Sequence, residues 1–295
     1  MSARDILAAL SVAIVWGLNF IAMKVGVEET TPLMLAGLRF LFAAIPMVFL
    51  IRPPKAPAWA VVLYGLLIGA GQFSALFIAM ARGFPIGLSS LVIQAQVFFT
   101  ILLAGIFLGE RPRRVQILGA VLGFAGMAAI GSERLAGANL GPFLLVVLAA
   151  AFWALGNLMA KSLGKIDMLA FTVWSSLAAP LPLFLLSLAF EGTGGLAGLA
   201  HPSWKLIVSV VTNSYAATVY AFAVWAWLLA RHPAASVTPF ALLVPVIGTI
   251  AGAVLFGERL APSELIGGSL VMLGLALNVL GGWPSRREAD ARESG

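Results

Sequence analysis

Leu108-Gly109-Glu110-Arg111 closes one long apolar run, and Phe256-Gly257-Glu258-Arg259 closes another. The two tetrads lie 148 positions apart, and the same offset places Pro85 on Pro233, Leu118-Gly119 on Ile266-Gly267 and Gly126 on Gly274. Nearer the start of each half the register becomes 137, which aligns Trp16 with Trp153 and Lys24 with Lys161. The difference of 11 residues has the size of an insertion, and the Gly-rich stretch Glu191 to Pro202 is its natural place. A unit of about 140 residues therefore occurs twice and fills nearly the whole chain. The expected division is 1–137, 138–285 and a short tail, 286–295.

Composition sets the solvent in which this repeat must fold. Hydrophobic residues make up 61% and charged residues 10% of the chain, with a mean hydropathy of +1.03. Soluble domains are far less apolar. The chain reads as an all-α membrane protein, since helices satisfy their own backbone groups in hydrocarbon. The net charge of +6 comes largely from basic residues in short loops, where they act as topology signals and not as a nucleic-acid surface. There is no cysteine, so disulfides, thiolate metal sites and cysteine nucleophiles are excluded. No metal or other cofactor is expected.

About 20 apolar residues span the hydrocarbon as a helix. Ten segments qualify, at roughly 6–26, 32–51, 58–81, 85–108, 113–131, 142–163, 168–190, 204–230, 234–257 and 263–283. If the N-terminus is cytoplasmic, the inside loops collect twelve basic residues and the outside loops five, with Arg39 set apart inside a span. Both termini are then expected at the cytoplasmic side. Ten spans divide into two repeats of five, an odd number, so the second repeat is expected upside down relative to the first. Two inverted five-helix repeats can expose one central site to either side by exchanging conformations, which is alternating access.

The Trp-Gly-x-Asn start at Trp16 to Asn19, its echo at Trp153 to Asn157 and the two Gly-Glu-Arg closings resemble the ten-helix EamA-type members of the drug/metabolite transporter superfamily. Within it the chain looks most like the YddG-type amino-acid exporters. That resemblance implies efflux of aromatic and other neutral amino acids across a bacterial inner membrane, through a cavity lined mainly by helices 1, 3, 4, 6, 8 and 9. Export of drugs or other small metabolites is the alternative within the family. The small multidrug antiporters of the superfamily depend on a membrane-embedded glutamate, and this chain has none: its carboxylates lie in loops or at helix ends.

Polar residues inside spans must face other helices or a wet cavity. The candidates for substrate binding are Trp16, Asn19, Gln72, Gln94, Trp153, Asn157, Asn213 and Tyr220. Gln72 and Tyr220 are related by the 148-residue offset. Gln94 and Gln96 project about 200° apart on one helix, so only one faces a given direction, and Gln94 is preferred. Each amide has the alternative of an interhelical hydrogen bond worth about 1 kcal/mol. Trp59, Trp204 and Trp283 fit the interfacial aromatic belt, whereas Trp16 and Trp153 lie deeper. Arg39, near the centre of a span, is expected to be structural, and Glu110 and Glu258 to fix the turns that they follow.

Pro239 and Pro245 bracket the middle of the ninth span and are the candidate gating positions, because each removes a backbone hydrogen bond. Glycines in spans 5 and 10, Gly119-x-x-x-Gly123 among them, signal close helix packing, with each other or with a second protomer, so a monomer and a homodimer both stand. An intramembrane enzyme has little visible machinery: His201 and His232 lie in loops, and neither a zinc-binding nor a phosphate-binding motif occurs. The expected partners are small-molecule substrates, amino acids by the resemblance, and the lipid bilayer.

Overall fold

In the computed structural model, residues 1–136, 140–232 and 234–281 are described, and among them there is no strand. Ten helices are long and apolar enough to cross a membrane. They are α1 (Ala3–Glu29), α2 (Pro32–Leu50), α3 (Ala58–Ala81), α4 (Ile86–Phe107), α5 (Arg114–Glu133), α6 (Leu140–Ser162), α7 (Met168–Phe190), α8 (Trp204–Arg231), α9 (Thr238–Phe256) and α10 (Pro262–Val279). These are the ten apolar runs of the sequence, shifted by a few residues at their ends. The chain is a multi-pass, all-helical membrane protein. The tail at 286–295, Trp283 and Pro233 lie outside the described residues.

Four of the helices change their winding, and the changes repeat. α3 widens into a π-helical stretch over Leu66–Phe73, and α8 does so over Thr212–Tyr220. Carried forward by 148 positions, the first stretch falls almost wholly on the second. α4 tightens into a 3-10 turn at Ile93–Ala95, and α9 at Thr238–Leu242, again overlapping under the same offset. Pro239 and Pro245 account for the second of these, since a helix cannot receive a backbone hydrogen bond from proline. Such segments leave carbonyls and amides less firmly tied than a regular helix does, which is why they recur at functional positions.

α5 and α10 meet backbone to backbone. A Cβ placed on Gly119 would come within 2.7 Å of the Gly274 carbonyl, and one on Gly267 within 2.6 Å of the Gly126 carbonyl. The pairing runs Gly119 with Gly274 and Gly126 with Gly267, so the two helices are antiparallel. The 148-residue offset simply exchanges the partners of one pair for those of the other. Gly123 turns instead to the Phe98 ring on α4. The glycine signal in the sequence is thus taken up within the chain.

The stretch between α7 and α8 forms a short helix, Gly194–Ala200, that packs over the turn joining α1 to α2, where Thr30 Oγ1 donates to the Gly195 carbonyl at 3.2 Å. α2 has no side-chain cap of its own. Glu191 supplies one from the end of α7, its Oε1 accepting from the Leu33 amide at 3.0 Å. The first turn of a helix has free N–H groups, and a carboxylate is their best partner in a dry setting.

Candidate functional site

Arg39 organises the first polar cluster. Only 3% exposed, its guanidinium donates through Nη1 to Asn213 Oδ1 at 2.7 Å and through Nη2 to Thr218 Oγ1 at 3.1 Å, with the Phe73 ring 3.9 Å from its Cζ. Asn19 Nδ2 donates to the same Asn213 oxygen at 3.2 Å. No carboxylate pairs with Arg39 among the described residues. Amide and hydroxyl dipoles and an aromatic face replace its hydration. Ser214 Oγ donates to the Arg39 carbonyl at 2.9 Å, and Thr218 Oγ1 to the Asn213 carbonyl at 2.8 Å, so the cluster ties α2 to the π-helical stretch of α8. Arg39 is thus engaged by α8 through Nη1 and Nη2, while its Nε has no partner among the described residues.

Trp16 and Tyr220 flank this cluster on α1 and α8. Trp16 Nε1 donates to the Ala217 carbonyl at 3.0 Å, a backbone group within the π-helical stretch, and its ring meets Trp225 and Phe222 at 5.3 and 5.6 Å. Tyr220 is 44% exposed, and its hydroxyl lies 2.8 Å from Ser11 Oγ. Asn19, Asn213, Trp16 and Tyr220 are therefore brought together along one α1–α8 seam, where Asn213 is occupied by Arg39.

The second cluster lies between α4 and α6. Asn157 Nδ2 donates to Gln96 Oε1 at 2.7 Å and approaches Thr100 Oγ1 at 3.4 Å. Trp153, one turn earlier on α6, is half-buried against the main apolar core. Gln96, set aside in the sequence in favour of Gln94, is the glutamine that meets Asn157, and Thr100 carries no signal in the sequence that singles it out. Gln94 instead points inward, 8% exposed, without a hydrogen bond to protein among the described residues. Gln72 is similar: it is 3% exposed, and its Oε1 has no partner. A buried amide oxygen left unpaired costs a few kcal/mol, so Gln72 calls for water or a polar ligand.

At one end of the bundle, α9 closes on α4. Glu258 reaches across to the start of α4, its Oε1 accepting from the Ile86 amide at 2.5 Å and its Oε2 from the Gly87 amide at 2.9 Å. Gly252 leaves room for the carboxylate, which a Cβ there would overlap. Ser90 Oγ lies 3.4 Å from the Pro245 carbonyl, and Gly17 on α1 rests against Ile247. The turn itself is made by Gly257, at φ 64°, and Gly109 makes its counterpart at φ 65°. Glu258 thus joins two helices; the expectation that it fixes its own turn misses this contact.

The Glu110 end is arranged differently. The latter half of α4 leans on α6, and the start of α9 packs against α10 and α1. Glu110 Oε2 meets Lys161 Nζ at 2.6 Å. Toward the Glu258 end, a cleft of about 430 Å³ lies among α4, α9 and α10, with Leu91, Leu260 and Glu264 in its lining and Pro245 the one candidate residue there.

Comparison with known proteins agrees with this architecture. A model of the EamA-like transporter family matches twice, at residues 4–132 and 140–280, five of the helices falling in each match. A "Probable amino-acid metabolite efflux pump" of Salmonella typhimurium is 40% identical over the whole of both chains, and one of the same description from Escherichia coli is 39% identical over 95% of this chain and 96% of its own. An uncharacterised transporter of Bacillus subtilis is 26% identical over 93% of this chain and 96% of its own. A solved crystal structure has the same fold, with a TM-score of 0.64 and 19% identity over 97% of this chain and all of that one. The chain belongs to the EamA-like transporter family.

Proposed function

We propose that this transporter exports amino acids, aromatic and other neutral ones, from a bacterial cytoplasm across the inner membrane. The observation that carries this reading is its 40% identity, end to end, with a protein described as an amino-acid metabolite efflux pump. The buried chemistry fits such a cargo. An amino acid brings a carboxylate, an ammonium group and a variable side chain. Gln72 and Gln94 offer unpaired amides, Trp16 and Trp153 offer aromatic faces, and Asn19 and Asn157 stand one turn from the tryptophans. Tyr220 adds an exposed hydroxyl from α8, and Asn213, held by Arg39, would reach a substrate only by giving up that contact.

The mechanism proposed is alternating access between repeats 1–137 and 138–285, inverted relative to each other. The antiparallel pairing of the equivalent helices α5 and α10 supports the inversion. The closure of α9 on α4 at the Glu258 end, without a matching closure at the Glu110 end, supports a carrier held with one side shut. The basic loops favour cytoplasmic termini, which makes the Glu258 end external. Pro239 and Pro245 stand where α9 would bend, and Ile93–Ala95 is the corresponding place in α4.

Counterflow of radiolabelled phenylalanine, leucine and glutamine into liposomes containing the purified protein tests the cargo. Saturable exchange of any of them is expected. Saturable exchange of another solute class, with none for these amino acids, would sink the substrate reading and leave the family assignment standing.

A further inference from the structure

We infer that Glu258 and Glu110 exchange partners in opposite directions as the carrier turns over, with Lys24 and Lys161 as the lysines that receive them. The inference rests on the alternating-access reading and adds the contacts that switch. In the present conformation Glu258 caps the start of α4, while Glu110 is held by Lys161. Lys161 has a repeat counterpart in Lys24, under the same 137-residue offset that aligns Trp16 with Trp153. Lys24 is turned to Glu28, one helical turn along α1, at 3.3 Å.

The surroundings of the two lysines match. Lys161 follows a part of α6 that packs along α4, where Asn157 meets Gln96, and Lys24 follows a part of α1 that packs along α9, where Gly17 meets Ile247. When the Glu258 end opens, the carboxylate leaves the Ile86 and Gly87 amides, and Lys24 is the cation placed to take it. When the other end closes, Glu110 leaves Lys161 for the turn of helix Ala234–Val237 that leads into α9, where Ala234 and Ala235 correspond to Ile86 and Gly87. Each carboxylate has a donor in both states, so the exchange avoids an uncompensated charge near the membrane.

The two closures are of unequal strength. Ala104 stands where the repeat places Gly252, and its Cβ takes up the room that Glu110 would need for the capping contact that Glu258 makes beside Gly252. Capping by Glu110 is correspondingly hindered, which favours the conformation with the Glu258 end shut.

The chain has no cysteine, so a single Ser90→Cys reports directly on the α4–α9 contact, where Ser90 is fully buried. Its rate of reaction with a soluble maleimide is read in the full-length protein. Lys161→Met removes the partner of the present state and is expected to raise the rate about twofold to fivefold, and Lys24→Met to lower it by a similar factor. Lys161→Arg and Lys24→Arg are expected to restore the parent rate, which separates a charge effect from poor folding. Shifts in one direction for both Met variants, or no shift while amino acids still alter labelling, would overturn the exchange. Opposite shifts without a response to amino acids would uphold it and refute the substrate reading.

Discussion

Removing Asn213 should cost far more than removing Arg39, although the two are partners. Asn213→Ala takes away the acceptor of a charge-assisted bond from Arg39 and the acceptor of the Asn19 amide, and leaves the guanidinium with Thr218 and the Phe73 ring. Losing the acceptor of a hydrogen bond from a buried charge costs about 1.5–3 kcal/mol, and leaving the buried Asn19 amide unsatisfied adds about 1–3 kcal/mol, for a total of about 3–5 kcal/mol. Arg39→Met gives up two hydrogen bonds and the ring contact, together worth about 4–6 kcal/mol, but it also ends the burial of a cation without a counter-ion, a penalty of several kcal/mol. The terms nearly cancel, leaving a change of about 1 kcal/mol.

At about 2 °C per kcal/mol for a chain of this size, Asn213→Ala should lower the midpoint of thermal aggregation in detergent by about 6–10 °C, and Arg39→Met by about 2 °C. The double variant should lie near Arg39→Met, well above Asn213→Ala. Because membrane proteins unfold irreversibly, heating rate and detergent must be held fixed. An Arg39→Met midpoint as low as that of Asn213→Ala would refute the reasoning: the buried cation would then be a net source of stability, and its desolvation a minor term.

Gly267→Leu inserts a side chain where α10 touches the Gly126 carbonyl, and should lower folded yield with a loss of about 1–3 kcal/mol, read as a reduced monodisperse fraction on size exclusion. Gly252→Ala should displace Glu258 from α4 and speed maleimide labelling at Ser90→Cys relative to the protein carrying Ser90→Cys alone. Gln72→Leu should abolish amino-acid counterflow without loss of abundance, because the residue satisfies no protein partner; a parallel fall in abundance would assign it to packing. Since every described carboxylate lies in a loop or near a helix end, flux in liposomes should change less than about twofold when a pH gradient is imposed.

The ten helices were legible in the sequence because hydrocarbon demands long apolar runs, and the two Gly-Glu-Arg closings betrayed the repeat without any structure. Trp16, Asn19 and Asn157 stood out for the same reason, as polar or amphipathic groups where lipid tolerates few. What each one touches was not legible. Asn213 looked like a free amide, yet its oxygen belongs to Arg39, 174 positions away. Glu258 looked like part of its own turn, yet it serves an amide 172 positions away. Gln94 and Gln96 differ in sequence only by their angle on α4, and Gln94 falls within the 3-10 turn while Gln96, just past it, is the one that meets Asn157. The π-helical stretches carry no composition of their own, so no local pattern announces them.

The α5–α10 seam has a mechanical consequence. Surfaces that interlock through side chains resist sliding, because rotamers must be unlocked and cavities opened before one helix moves past the other. Glycine opposite a carbonyl offers neither obstacle: the contact is smooth, close and nearly symmetric about its midpoint. Such a seam can act as a bearing, holding the two halves of the molecule at a fixed distance while they tilt against each other.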